Sequence, residues 1–160
     1  MYDIISTSNS TEETLNLGKR IAPHLQKGDV IVMTGDLGAG KTLFTSGILE
    51  YFGKKDEVSS PTFTIVNEYD LNDGLKLFHF DVYRLESPDE FLAIGGDEFF
   101  EQGICLIEWG EKIEEYLPKD VLRINIKKDT EDDSKRIFSF NTTSERYNEI
   151  IKEAISKWKF

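Results

Sequence analysis

Eight consecutive residues, Gly35-Asp36-Leu37-Gly38-Ala39-Gly40-Lys41-Thr42, satisfy the spacing G-x-x-x-x-G-K-[ST] at every fixed position. The chemistry of such a stretch is phosphate binding. Glycines let successive backbone N–H groups turn inward around phosphate oxygens. The Lys41 ammonium reaches the outer phosphates as a mobile point charge, and the Thr42 hydroxyl is a ligand for magnesium. The ligand implied is a nucleoside triphosphate.

A magnesium–triphosphate site also needs a carboxylate at the end of a strand adjacent to the loop's own strand. Two residues qualify. Glu108 ends the apolar run Ile104-Cys105-Leu106-Ile107, and Asp81 follows Leu77-Phe78-His79-Phe80. Run length and the Gly103 start favour Glu108 as the metal ligand. Asp81 then orients the attacking water or stands in the metal's outer coordination sphere. Thr62, in Ser60-Pro61-Thr62-Phe63, lies between the loop's helix and the next strand, where nucleotide switches place a hydroxyl that senses the third phosphate. His79 reads as a strand histidine with a satisfied ring. Trp109 reads either as a core residue or as a residue that lines the nucleotide site or a partner surface. The Asn-Lys-x-Asp element that reads guanine in many GTPases is missing, since Asn67 is followed by Glu68, Tyr69 and Asp70. Its absence favours ATP.

The elements that must position these groups follow from periodicity. Asp29 to Thr34 is a short, β-branched apolar run suited to a buried strand, and Phe44, Gly47, Ile48, Tyr51 and Phe52 recur at helical spacing after Lys41. The order strand, loop, helix sets a helix N-terminus, with its unpaired N–H groups, against the phosphates. Before it, Tyr2 to Thr7 predicts a strand and Thr11 to Gln26 a helix, with Ser10 and Glu13 spaced as a capping box and Pro23 disturbing the end. Thr64 to Leu71 and Leu75 to Tyr83 predict an antiparallel hairpin turning at Asn72-Asp73-Gly74. A short helix starts at Ser87-Pro88. Gly103 to Trp109 predicts a buried parallel strand beside the loop's strand. A short helix follows from Glu111 to Leu117, then half-buried strands from Val121 to Lys127 and Arg136 to Phe140, and a final amphipathic helix from about Ser144. The expected fold is α/β: a P-loop NTPase-like three-layer sandwich with a mixed, mostly parallel central sheet plus antiparallel hairpins. Residues 1–160 are expected to form a single P-loop ATPase domain.

The chain carries a formal net charge of −11, which opposes sequence-independent attraction to nucleic acid or anionic lipid and directs any role with RNA through a protein partner. Its one cysteine, Cys105, leaves no disulfide and no cysteine cluster for zinc. No stretch approaches the roughly 20 apolar residues of a membrane span, and the first residues lack a secretory signal, so a cytoplasmic location with no membrane partner is the expectation.

Gly35 to Thr42, Ser60 to Phe63, His79-Phe-Asp-Val-Tyr-Arg84 and Ile104-Cys-Leu-Ile-Glu-Trp109, in this order and at these separations, resemble the bacterial TsaE family, also called YjeE or YdiB. The resemblance implies a small ATPase required for threonylcarbamoyladenosine at position 37 of tRNA. Its partners would be the TsaD and TsaB proteins, with tRNA met only through that complex. By the same resemblance Leu37 to Thr42 bind the phosphates, Thr42 and Glu108 hold magnesium, and Asp81 is essential for hydrolysis. Thr11, Glu111 and Arg136 contact the nucleoside. Two other readings share the loop. A small-molecule kinase would make a phosphorylated acceptor, but Pro88 to Gln102 is acidic and aromatic where an arginine-rich lid is expected. A binding module would use the nucleotide only to order a docking surface.

Overall fold

The computed structural model describes residues 1–36, 38–58 and 65–158. Within them the order is β1 (Tyr2–Ser8), α1 (Thr11–Ile21), β2 (Val30–Thr34), α2 (Lys41–Tyr51), β3 (Val66–Asp70), β4 (Lys76–Asp81), α3 (Pro88–Ala93), β5 (Ile104–Glu108), β6 (Leu122–Lys128), β7 (Arg136–Thr142) and α4 (Glu145–Trp158). The strands form one seven-stranded sheet in the order β1-β7-β6-β2-β5-β4-β3. The central strands β6, β2, β5 and β4 run parallel, and the flanking pairs β1/β7, β6/β7 and β3/β4 are antiparallel. The parallel part is therefore confined to the middle of a mixed sheet.

Composition explains that placement. Every residue of β5 is buried, and so are the first four of β2, because both strands carry near-continuous apolar runs covered on two faces. Alternate side chains enter separate cores. Ile31, Met33, Ile104 and Leu106 pack with α1, α2 and α4 on one face. Val30, Val32, Cys105 and Ile107 pack with Phe91 of α3 and with Phe100 and Ile113 of two short 3-10 segments on the other. The result is three layers with the sheet in the middle. β6 alternates instead, burying Leu122, Ile124 and Ile126 while Arg123 and Asn125 stay half-buried.

The predicted Ser10 cap forms at the start of α1, with the return bond of the capping box shifted by one residue. Glu13 N–H donates to Ser10 Oγ at 3.1 Å, and the Glu13 carboxylate reaches back to the backbone N–H of Asn9 at 2.5 Å. The helix stops at Ile21, short of the predicted Gln26, because Pro23 has no N–H and its ring would collide with the carbonyl four residues earlier. Residues Ala22–His24 tighten into a 3-10 turn instead. The Asn72–Gly74 turn joins β3 and β4 as predicted, with β3 ending one residue early, at Asp70, and β4 trimmed by one residue at its start and two at its end; the predicted start of the first strand, Thr64, lies outside the described residues. The predicted helix after Trp109 is a 3-10 segment, Gly110–Tyr116, broken by a non-helical Ile113.

Two long-range devices hold the site's supports. α1 crosses α2 so closely that a Cβ on Gly47 would lie 2.2 Å from the Leu15 carbonyl oxygen, so only glycine allows this approach. α4 is pinned to the start of β2 by the buried Asp29. Its carboxylate accepts from both Arg146 Nη atoms at 2.7 and 2.8 Å, from Tyr147 Oη at 3.2 Å and from the Gln26 N–H at 2.9 Å. Tyr147 Oη in turn accepts from Val30 N–H at 3.0 Å. Hydrogen bonding to Asp29 raises the Arg146 pKa, and burial raises that of Tyr147, so the cluster holds a charged guanidinium and a protonated phenol.

Candidate functional site

The loop leaves β2 at Thr34 and enters α2 at Lys41, so its backbone turns at the C-terminal edge of the parallel strands, where open α/β sheets bind ligands. Gly35 is indispensable there: its φ is +138°, and a Cβ would lie 2.3 Å from the Ile126 carbonyl oxygen of the neighbouring strand. Gly40, also at positive φ, caps the N-terminus of α2. Leu37 lies outside the described residues.

Strand register delivers the two carboxylates. Glu108 is level with Met33 across the β2/β5 pair and with Asp81 across the β4/β5 pair. Side chains alternate along a strand, so Asp81 and Glu108 share the face of Leu77, Met33 and Leu106, which is the α2 face. Both are buried, at 8% and 4% exposure. Asp81 Oδ1 accepts from the Tyr83 N–H at 3.0 Å, an arrangement that holds its carboxylate in place.

Lys41 is buried and donates from Nζ to the Gly35 carbonyl, with its ammonium 4.0 Å from the centre of the Trp109 ring. Burial lowers its pKa; Glu108, then Glu111, Asp81 and Asp36, pull the other way. Trp109 reaches this position because its backbone adopts a left-handed turn, φ +64°, with its N–H donating to Met33 O at 3.0 Å. It lines the site, and its ring lies 4.9 Å from that of Tyr83.

These groups open on a cavity of about 570 Å³, within the range of small-ligand sites. Gly38, Gly40, Lys41 and Thr42 form its floor, and Asp81, Glu108 and Trp109 one wall. Leu43 of α2, Ser10, Thr11 and Thr14 at the start of α1, and Asp133, Ser134 and Arg136 of the β6–β7 hairpin line the rest. Of the three residues expected at the nucleoside, Thr11 and Arg136 therefore line the cavity. Glu111 does not, and contributes only its charge near Lys41. Arg136 donates from Nε to the Ala39 carbonyl at 2.9 Å and from Nη1 to the Lys135 carbonyl at 3.0 Å, tying the hairpin to the loop. Thr62 and the rest of Ser60 to Phe63 lie outside the described residues.

One functional pairing escaped the sequence reading. His79 is fully buried, and its Nε2 is 2.6 Å from Glu108 Oε2; since the carboxylate accepts, the proton of this bond sits on Nε2. The ring is only half satisfied, because among the described residues Nδ1 has no hydrogen-bond partner. The available signal was the strand period: His79 stands two residues before Asp81 and so shares its face.

The oxygen donors Thr42 and Glu108 suit magnesium, which prefers hard oxygen ligands. Among the described residues no three His, Cys, Asp or Glu side chains gather as a metal cage. Magnesium held here would draw further ligands from phosphate and water, its usual mode in nucleotide sites.

Residues 8–137 match the family described as threonylcarbamoyl adenosine biosynthesis protein TsaE. The chain is 47% identical over 144 residues to the tRNA threonylcarbamoyladenosine biosynthesis protein TsaE of Bacillus subtilis, covering 89% of this chain and 87% of the relative. It is 41% identical to that of Haemophilus influenzae, over 77% of this chain and 80% of the relative. The crystal structure of Bacillus subtilis YdiB superposes with a TM-score of 0.74 at 38% identity, covering 98% of this chain and 96% of that one.

Proposed function

Because the chain belongs to the TsaE family of threonylcarbamoyl adenosine biosynthesis proteins, we propose that it is a magnesium-dependent cytoplasmic ATPase acting on the TsaD–TsaB complex in the modification of tRNA adenosine 37. The observation that carries the reading is the register: Asp81 and Glu108 end adjacent strands level with each other and with the end of the loop's own strand. A cradle for phosphates thereby acquires two buried carboxylates on the side where hydrolysis requires them.

In this reading the backbone N–H groups of residues 38–42 and the N-terminus of α2 receive the phosphates. Lys41 leaves the Gly35 carbonyl and the Trp109 ring for the outer phosphates, a move that its incomplete solvation favours, since burial already works against its charge. Thr42 and Glu108 would hold the metal, which would supply neutralisation of the charge that develops on the phosphate oxygens. Asp81, oriented by the Tyr83 N–H, positions and receives a proton from the attacking water. Thr62 is the second candidate for positioning that water, as a hydroxyl that cannot itself take the proton. Thr11 and Arg136 flank the nucleoside, the hairpin having been brought to the loop by the Arg136–Ala39 bond. Adenine is favoured by the missing Asn-Lys-x-Asp element.

The deciding experiment measures phosphate release from ATP by the purified chain, alone and with TsaD and TsaB, while screening for a phosphorylated acceptor. Slow turnover that rises with both partners, and loss of the modified adenosine from bulk tRNA in a deletion strain, are the expected results. A phosphorylated small molecule would establish the kinase reading. Full function in cells carrying a hydrolysis-dead Asp81 variant would establish the binding module.

A further inference from the structure

We infer that His79 is a positioning residue for Glu108, holding the carboxylate in the geometry a metal needs and keeping it from collapsing onto Lys41. The inference rests on the magnesium–nucleotide reading of the site.

Lys41 and Glu108 are buried within each other's field, and Glu108 is the strongest of the charges that raise the Lys41 pKa. Left to themselves, a buried ammonium and carboxylate pair directly, because nothing else nearby offsets their desolvation. They do not do so here. Lys41 Nζ goes to the Gly35 carbonyl and the Trp109 ring, and Glu108 Oε2 goes to His79 Nε2 at 2.6 Å. A collapsed pair would tie up the cation needed by the phosphates and the anion needed by the metal.

His79 is suited to prevent this. It sits on β4, level with Leu106 on β5, two residues before the level of Glu108, and it is completely enclosed by the α2-side core. It does not line the cavity, so it has no contact with a nucleotide. Claiming Oε2 fixes the side-chain rotamer and leaves Oε1, which has no hydrogen bond among the described residues, as the oxygen available to a metal or its water. Hydrogen-bond partners of metal-binding carboxylates act in this way, and their loss typically weakens metal binding about 10- to 100-fold. The bare Nδ1 fits a ring retained for its Nε2–H: a core position chosen for packing alone would favour an apolar side chain over one with a buried, unpaired nitrogen.

The test titrates Mn2+ into the full chain saturated with ADP, following protein-bound metal by electron paramagnetic resonance, and separately measures ADP affinity in EDTA. His79→Leu is expected to weaken Mn2+ binding about tenfold or more while leaving metal-free ADP affinity unchanged. His79→Gln, whose amide N–H can reach the same oxygen, is expected to recover most of the loss. In a Glu108→Gln background, adding His79→Leu is expected to change nothing further. If circular dichroism shows His79→Leu unfolded, His79→Asn, too short to reach Glu108, replaces it under the same criteria. Unchanged Mn2+ affinity, an equal loss in EDTA, or a loss of the same size in the Glu108→Gln background would each overturn the inference while leaving the magnesium reading intact. A wild-type chain that binds no Mn2+ with ADP would overturn both.

Discussion

Lys41 is held by the Gly35 carbonyl and the Trp109 ring while the carboxylates of Glu108, Glu111 and Asp81 pull on its charge. The arrangement resembles a poised state, in which the ammonium is buried without a direct ion pair and a polyphosphate offers it better partners. In the proposed mechanism the task of Asp81 is directional. Its Oδ1 accepts from the Tyr83 N–H, a bond that Asp81→Asn preserves while removing the negative charge that steers water. Asp81→Asn is therefore expected to keep ATP binding within about twofold and to reduce turnover on the order of 10²-fold, the usual contribution of a positioned general base. Equilibrium binding of ATP set beside phosphate release under saturating ATP checks both halves. A loss of binding equal to the loss of turnover would show that Asp81 acts in the ground state.

At the scale of elements, the site depends on how closely two helices approach. α2 carries Lys41 and Thr42, α1 presents Thr11 and Thr14 to the same cavity, and the crossing brings Gly47 against the Leu15 carbonyl. Gly47→Ala would place a methyl carbon 2.2 Å from that oxygen, with backbone on both sides and no flexible side chain to yield. The helices must separate. Overpacking of this kind costs about 1–3 kcal/mol, which urea denaturation would read as a lower midpoint at unchanged slope. Because α1 would move with its N-terminus, ATP affinity is expected to fall as well, although Gly47 touches no nucleotide. The hairpin β6–β7 contributes through a different contact, with Arg136 bound to the Ala39 carbonyl. It joins the loop to the sheet's antiparallel wing.

For the whole molecule, charge and architecture point to the same division of labour. A net charge of −11 repels a polyanion, so the chain alone is expected to show no retention of tRNA in a gel-shift assay at physiological salt. Association with a basic protein surface would be accelerated by that charge and slowed by added salt. Stopped-flow mixing with the TsaD–TsaB complex at increasing salt would measure this directly; a rate independent of ionic strength would place the contact on an uncharged patch. Among the described residues no helix is long and apolar enough to cross a membrane.

The sequence by itself determined the features that depend on residues close together in the chain. The glycines of Gly35 to Thr42 set a tight loop between strand and helix, Ser10 caps the first helix, Pro23 limits it, and the apolar runs before Thr34 and Glu108 specify two buried strands. Short-range sterics and solvation decide such features, so they can be read locally. Tertiary structure alone decided which distant groups meet. Glu108 and His79 are 29 residues apart and pair only because β4 and β5 adopt one register; Arg136 and Ala39 are 97 apart and meet only when the hairpin folds over the loop. Lys41 came to rest on Trp109 through a left-handed turn that an apolar run does not announce. A shift of one residue in the β4/β5 register would turn His79 and Asp81 to the far face of the sheet, because side chains alternate along a strand. The burial of both faces specifies that register, which is why the site's pairings belong to the fold as a whole.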